Sequence, residues 1–177
     1  MRNKWLLVVT GKDRPGIIAD VTGVLYRAHA NLEDMSMTIL EGAFAMIVVV
    51  TVNPQKKSSV ERALLRLRGL SFDWKKWNGS LKKGKSSGGN LYLVSAMGKD
   101  RTGIVYEISR ELSKRRLNIQ DLNSRVLGKD ANAVYAMVLE VMLPKSYAIA
   151  PLKRALAKIG AQLKVEVTLK PVEQLQF

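Results

Sequence analysis

The residues best suited to chemistry in this 177-residue chain occur twice. Residues 11–17 read GKDRPGI and residues 98–104 read GKDRTGI, each ahead of a helical pattern. Asp13 is placed to cap the first helix by accepting a backbone N–H, and Pro15 to stand in its first turn, where a missing N–H costs nothing. Gly16 removes a side chain beside the free N–H groups, at a position where glycine costs up to about 1 kcal/mol against alanine. Those N–H groups and the helix dipole favour a carboxylate or a phosphate. A glycine there serves tight packing of helix on strand equally well, and both readings stand at this level. Asp100, Thr102 and Gly103 repeat the design.

Other chemistries lack their residues. There is no cysteine and one histidine, so neither a disulfide framework nor the usual histidine and cysteine metal cluster can be built within one chain. His29 stands alone, late in a helical pattern, and reads as a surface or capping residue. No nucleophilic triad spacing or phosphate-cradling glycine loop is present. Asp13 and Asp100 read as caps and not as an acid/base pair. Neither an enzyme nor a cofactor or metal is expected. The absence of cysteine, of an apolar run of membrane-spanning length and of a signal-peptide pattern points to the cytoplasm and away from membranes.

The elements that must position these loops are themselves repeated. Residues 11–34 lie over 98–121 without a gap; Leu25, Asn31 and Asp34 match Leu112, Asn118 and Asp121. A few residues must be inserted in the second copy around LGKDAN, after which FAMIVVV at 44–50 lies over YAMVLEV at 135–141. Between the copies KKGKSSGG carries no apolar residue and reads as a flexible linker. The expected organisation is a first domain at 1–81, a linker at 82–89 and a second domain at 90–177.

Each copy opens with an apolar run that reads as a strand. Ile17, Val21 and Leu25, like Ile104, Ile108 and Leu112, recur every four residues and give each first helix one buried face. Two strands follow, then a second helix near 56–69 or 147–160, the latter with Pro151 near its start. Phe72 and Trp74, and Val165 and Val167, alternate in a closing strand. Strand, helix, strand, strand, helix, strand is the α+β, ferredoxin-like βαββαβ arrangement, an antiparallel sheet with both helices on one face. The run AFAMIVVVTV is apolar on both alternating sets, which predicts that the sheet's open face is also covered, most simply by another sheet.

GKDRPGIIADVTGVL, ANLEDMSMTIL and FAMIVVV together resemble the ACT domain, a small regulatory ferredoxin-like module, and the second copy resembles it equally. The resemblance covers the chain outside the linker. A tandem pair without a catalytic domain is similar to the glycine cleavage system transcriptional repressor group. It implies a non-enzymatic regulator that binds a free amino acid at an interface between two such domains and acts as a homo-oligomer or on a protein partner. The implied ligand contacts are Lys12, Asp13, Arg14, Pro15 and Gly16 with Lys99, Asp100, Arg101, Thr102 and Gly103, together with Asn31, Asp34, Asn118 and Asp121 near the second strands. Physically, helix N-termini supply donors for a carboxylate, and these carboxamides and carboxylates supply acceptors for an ammonium. Asparagine entering a strand also reads as a turn residue, and the aspartates as solvated groups. Thr102 in place of Pro15 distinguishes the two loops.

The net charge of +14 sustains one rival reading, a basic ferredoxin-like protein that binds nucleic acid. The charge is spread over both halves instead of forming one stripe. The third strands lack the glycine and aromatic pattern of an RNA-recognition motif. Phe44 and Tyr135 read as core. Trp74 fits the core face of its strand, whereas Trp77, among lysines, is expected at the surface. Nucleic acid is therefore possible but not favoured as a partner.

Overall fold

The internal repeat of the sequence is a repeat of the fold. The computed structural model describes residues 3–77, 89–128 and 133–172. These fall into two units, within residues 1–81 and 82–177. The first unit contains β1 (Asn3–Lys12), α1 (Ile17–Arg27), β2 (Asn31–Leu40), β3 (Ala43–Val52), α2 (Pro54–Leu64) and β4 (Leu70–Lys76). The second contains β5 (Gly89–Lys99), α3 (Ile104–Lys114), β6 (Ile119–Leu127), β7 (Val134–Pro144), α4 (Ile149–Leu163) and β8 (Val165–Pro171). Each is a βαββαβ unit with one antiparallel sheet, ordered β2-β3-β1-β4 and β6-β7-β5-β8. Of the stretch expected as a linker, residues 82–88 lie outside the described residues, and Gly89 already belongs to β5.

The helix-facing side of each sheet holds the core. Leu7, Val9, Phe44, Met46, Val48 and Val50 meet Ile17, Val21, Leu25, Val60 and Leu64. Tyr92, Val94, Met137, Leu139 and Val141 meet Ile104, Ile108, Leu112, Leu152 and Leu156. Phe72 and Trp74, and Val165 and Val167, join these cores as their alternation predicts. On the other side of the first sheet, Val49 and Thr51 are buried while Ile47 is half exposed. Among the described residues no helix is long and apolar enough to cross a membrane.

Local signals account for the turns. Glu41 and Gly42 both have positive φ, and Leu40 pairs with Ala43, so β2 and β3 are joined by a two-residue hairpin of the type that matches strand twist. The inserted residues of the second copy fall in the matching hairpin, where Leu127 pairs with Val134; residues 129–132 of that loop lie outside the described residues. Asn53 caps α2 by accepting the Gln55 N–H, with Pro54 next in the chain. That helix ends at Leu64, short of the expected 69, because the chain must turn through Gly69 (φ 77°) to pair Leu70 with Gly11.

His29 is not inside a helix. It follows α1 in the left-handed region (φ 55°), with its N–H on the Tyr26 carbonyl and the Ala30 N–H on Leu25. Arg116 (φ 57°) and Leu117 close α3 in the same way. This is the Schellman closure, made at both sites by a residue other than the usual glycine.

Candidate functional site

The repeated glycine, and not the aspartate, begins each first helix. Gly16 (φ 89°) and Gly103 (φ 97°) are the N-cap residues, both left-handed, and neither helix receives a side-chain cap. The expectations that Asp13 and Asp100 cap, and that Pro15 stands in the first helical turn, are thus corrected. Asp13 lies three residues too early and is held by its own backbone N–H, which donates to the Gly42 carbonyl at 2.7 Å. Pro15 precedes the cap.

A left-handed backbone selects glycine for conformation, and there is room as well. A Cβ at Gly103 would meet nothing within 4 Å, and one at Gly16 only Arg14 Nη1 at 3.9 Å. Tight packing is therefore not the reason for these glycines. It is the reason for the earlier glycine of each phrase. A Cβ at Gly98 would lie 2.8 Å from Val165 Cγ1, and Gly11 is crowded in the same way by the strand beside it. The two glycines of GKDRxG thus have separate tasks: the first lets the closing strand approach, the second reverses the chain and leaves the helix N-terminus open.

In the first unit that N-terminus borders an open groove of about 650 Å³. Asp13, Arg14, Pro15 and Gly16 form its rim, and Ile18, Met37, Ile39 and Phe44 give it apolar walls. Met37 and Ile39 are register partners of Met46 and Phe44, so they stand on the helix-facing side of β2. That edge of the sheet is uncovered, and they remain 38% and 47% exposed. The alternation in MSMTIL marks these residues, which the loop motif by itself does not. Arg14 clasps the start of α1 through Asp20, Nη2 to Oδ2 at 2.8 Å. In the second unit the residue matching Asp20 is Glu107, which pairs with Arg110 at 2.9 Å. Among the described residues Arg101 makes no ion pair, so the loops differ by this clasp as well as by Thr102. Ser124 and Val126 stand where the first unit has Met37 and Ile39, a more polar wall.

The other predicted residues lie elsewhere. Asn31 pairs with Thr51, and Lys4 pairs with Thr51 from the opposite side, whereas Lys12 pairs with Ala43. Asn31 and Asp34 are therefore toward one end of the sheet and Lys12–Gly16 at the other, separated along β2 by about 30 Å for Asn31 and about 20 Å for Asp34 at strand rise. The same holds for Asn118 and Asp121 against Lys99–Gly103. Within one unit the structure does not bring the two sets together. Asp121 instead accepts a hydrogen bond from Asn123 Nδ2 at 2.7 Å, and Asn118 lines a different groove, beside α3.

A bulge at Glu33 turns its carboxylate to the open face, where it accepts from Thr51 and, at 2.5 Å, from Lys4 Nζ. These two donors hold the Glu33 carboxyl below the ordinary glutamate range, the Lys4 hydrogen bond contributing most. The bulge recurs before Asp121, but Leu91, Gln120 and Met142 replace the polar trio. Trp77, expected at the surface, is half-buried, with its backbone N–H on the Lys4 carbonyl and its indole nitrogen shielded from solvent.

Two βαββαβ units, each with a glycine-capped helix opened by the same phrase, define a tandem of small ferredoxin-like modules. The ACT domain family matches residues 4–70 and 90–170, and the chain belongs to that family. It is 44% identical over 48 residues to the UPF0237 protein MK1213 of Methanopyrus kandleri, covering 27% of this chain and 53% of that one. It is 36% identical over 61 residues to the UPF0237 protein YjhC of Lactococcus lactis, covering 34% and 70%. The chain thus spans about half the length of several of the curated relatives it matches. Among solved structures, an unknown protein from Galdieria sulphuraria superposes with a TM-score of 0.78 at 26% identity, over 98% of this chain and 100% of that one. A candidate glycine cleavage system transcriptional repressor superposes with a TM-score of 0.70 at 16% identity, over 98% and 99%, a likeness of fold.

Proposed function

We propose that this protein is a non-enzymatic, cytoplasmic regulator that senses a small amino acid at its GKDRxG loops and acts through protein association, in the manner of a transcriptional regulator of amino-acid metabolism. The observation that carries the reading is the left-handed Gly16, with open space where its side chain would be, at a helix N-terminus beside the apolar groove. A ligand carboxylate meets the unpaired N–H groups of the first turn. Met37, Ile39 and Phe44 then favour an apolar side chain over the bare hydrogen of glycine.

Asn31 and Asp34 join this reading through assembly. β2 is an edge strand. Antiparallel pairing of β2 strands from two chains sets the Asn31 end of one against the Leu40 end of the other, next to its 13–16 loop. The acceptors for an ammonium then come from the second chain. Such pairing also covers exposed Ile39 and Leu40.

Calorimetric titration with the twenty amino acids tests the reading. Saturable binding of an apolar amino acid, abolished by Gly16→Asn, supports it; no binding of any of them overturns it. The rival reading, stacking of nucleic acid on the sheet, is disfavoured by Phe44, which is buried, and by Tyr135, which packs on the second core.

A further inference from the structure

A second groove, of about 720 Å³, runs along the outer face of α3 to the start of β6. Its size is that of a small-molecule site. Tyr106, Arg110, Ser113 and Lys114 line it from one stripe of the helix, and Arg116 and Asn118 from the segment that follows. Arg110 is partly neutralised by Glu107, and its guanidinium lies 5.6 Å from the Tyr106 ring centroid. Among the described residues Lys114 and Arg116 make no ion pair, and Tyr106 is 60% exposed.

The internal repeat supplies an independent comparison. In the first copy the positions of Tyr106, Arg110, Ser113 and Arg116 hold Ala19, Gly23, Tyr26 and His29. The helical turn, its Schellman closure and the core residues are shared. What differs is the row of side chains facing this groove, which has gained two guanidinium groups and carries its exposed ring at Tyr106 instead of at the position of Ser113, where the first copy has Tyr26; Lys114 and Asn118 match Arg27 and Asn31. Ile104, Ile108 and Leu112 still match Ile17, Val21 and Leu25, so the difference between the copies is confined to the outer face of the helix.

We propose that this groove binds a nucleotide, its phosphoryl group held by Lys114, Arg116 and the Ser113 hydroxyl and its base laid on Tyr106. Two cations, a hydroxyl and the Asn118 carboxamide match the several acceptor oxygens of a phosphate. An aromatic face with an arginine beside it suits the stacking of a base. Apart from Asn118, which the amino-acid reading also names, the site is separate from that reading, and its test does not depend on it.

The test is calorimetric titration of the full chain with AMP, GMP, CMP and UMP, with adenosine and inorganic phosphate as partial probes. At least one monophosphate is expected to saturate one site per chain. The doubly substituted Lys114→Gln/Arg116→Gln protein should bind it at least about tenfold more weakly, the scale of one charge-assisted hydrogen bond. Arg66→Gln/Arg68→Gln removes the same charge from an exposed turn of the first unit and should leave affinity unchanged. Tyr106→Ala should weaken the nucleotide and not inorganic phosphate. Thermal midpoints are read on every variant; should the double substitution lower its midpoint, Lys114→Gln alone replaces it. No saturable binding of any monophosphate overturns the proposal. So does an equal loss in the Arg66/Arg68 variant, which would mean diffuse charge. Binding of a single-stranded oligonucleotide without any mononucleotide also overturns it, in favour of a strand-binding surface.

Discussion

Gly11 runs so close to Gly69 that a Cβ at residue 11 would lie 2.4 Å from the Gly69 carbonyl oxygen. Backbone lies against backbone there, and no side-chain rotation relieves the overlap. Gly11→Ala is therefore expected to destabilise the first unit by about 1–3 kcal/mol, the scale of overpacking. Gly98→Ala, which drives a methyl group into Val165, should do the same to the second. Chemical denaturation followed separately in the two units checks this; an unchanged midpoint in both variants would contradict it.

The later glycines should answer differently. Asparagine tolerates the left-handed region, and nothing but Arg14 crowds the site. Gly16→Asn and Gly103→Asn are expected to cost less than about 1 kcal/mol while filling the space in front of the helix N–H groups. Loss of amino-acid binding with a nearly unchanged midpoint is the expected result for Gly16→Asn. The absence of an Arg14-type clasp at Arg101 makes unequal effects in the two units the expected pattern.

At His29 the substitution runs in the stabilising direction. Its backbone is left-handed and closes α1. His29→Gly relieves a side-chain conflict that exceeds the extra entropy glycine loses, a gain of about 0.5–1 kcal/mol. Thermal unfolding reads it directly, and a lower midpoint would show that the imidazole makes a compensating contact.

The Lys57 ammonium lies 4.4 Å from the Trp5 ring centroid and 5.6 Å from that of Trp74, and it pairs with Glu61. The two indoles meet edge to face at 6.3 Å. This arrangement fastens α2 to the sheet. Lys57→Met keeps much of the stem and removes the charge, so its cost, measured in a Glu61→Gln background to set aside the ion pair, reads the cation–π contribution, about 0.5–2 kcal/mol. A variant as stable as the parent would show that only the stem matters.

Glu33 gives the first unit a titration that the second lacks. Its carboxyl is held low by Lys4 and Thr51, so its contribution is fully present above the ordinary value near 4.5 and is lost as pH falls through the lower folded value. Between pH 5 and pH 3 the first unit should lose stability more steeply than it does as Glu33→Gln. The second unit, with Gln120 at this position, should not show the difference. Parallel curves for parent and variant would contradict the assignment.

Periodicity is local, and so the duplicated βαββαβ order, the buried faces of the helices and the closing strands were all legible in the residues. Ile17, Val21 and Leu25 announce a helix whatever lies beyond them, and the match of GKDRPGI to GKDRTGI announces two units. Three things waited for tertiary structure. The helix starts at a left-handed Gly16 and not at Asp13, because the Asp13 N–H is engaged by Gly42 across the β2–β3 hairpin. The walls of the groove come from β2, twenty residues beyond the loop, because antiparallel register carries Met37 and Ile39 back beside α1. The same register sends Asn31 and Asp34 toward the far end of the sheet. A chain read in one dimension shows Asn31 close to Gly16. The strand that begins at Asn31 runs from one end of the sheet to the other before it reaches that loop, so proximity in sequence and proximity in space are reversed.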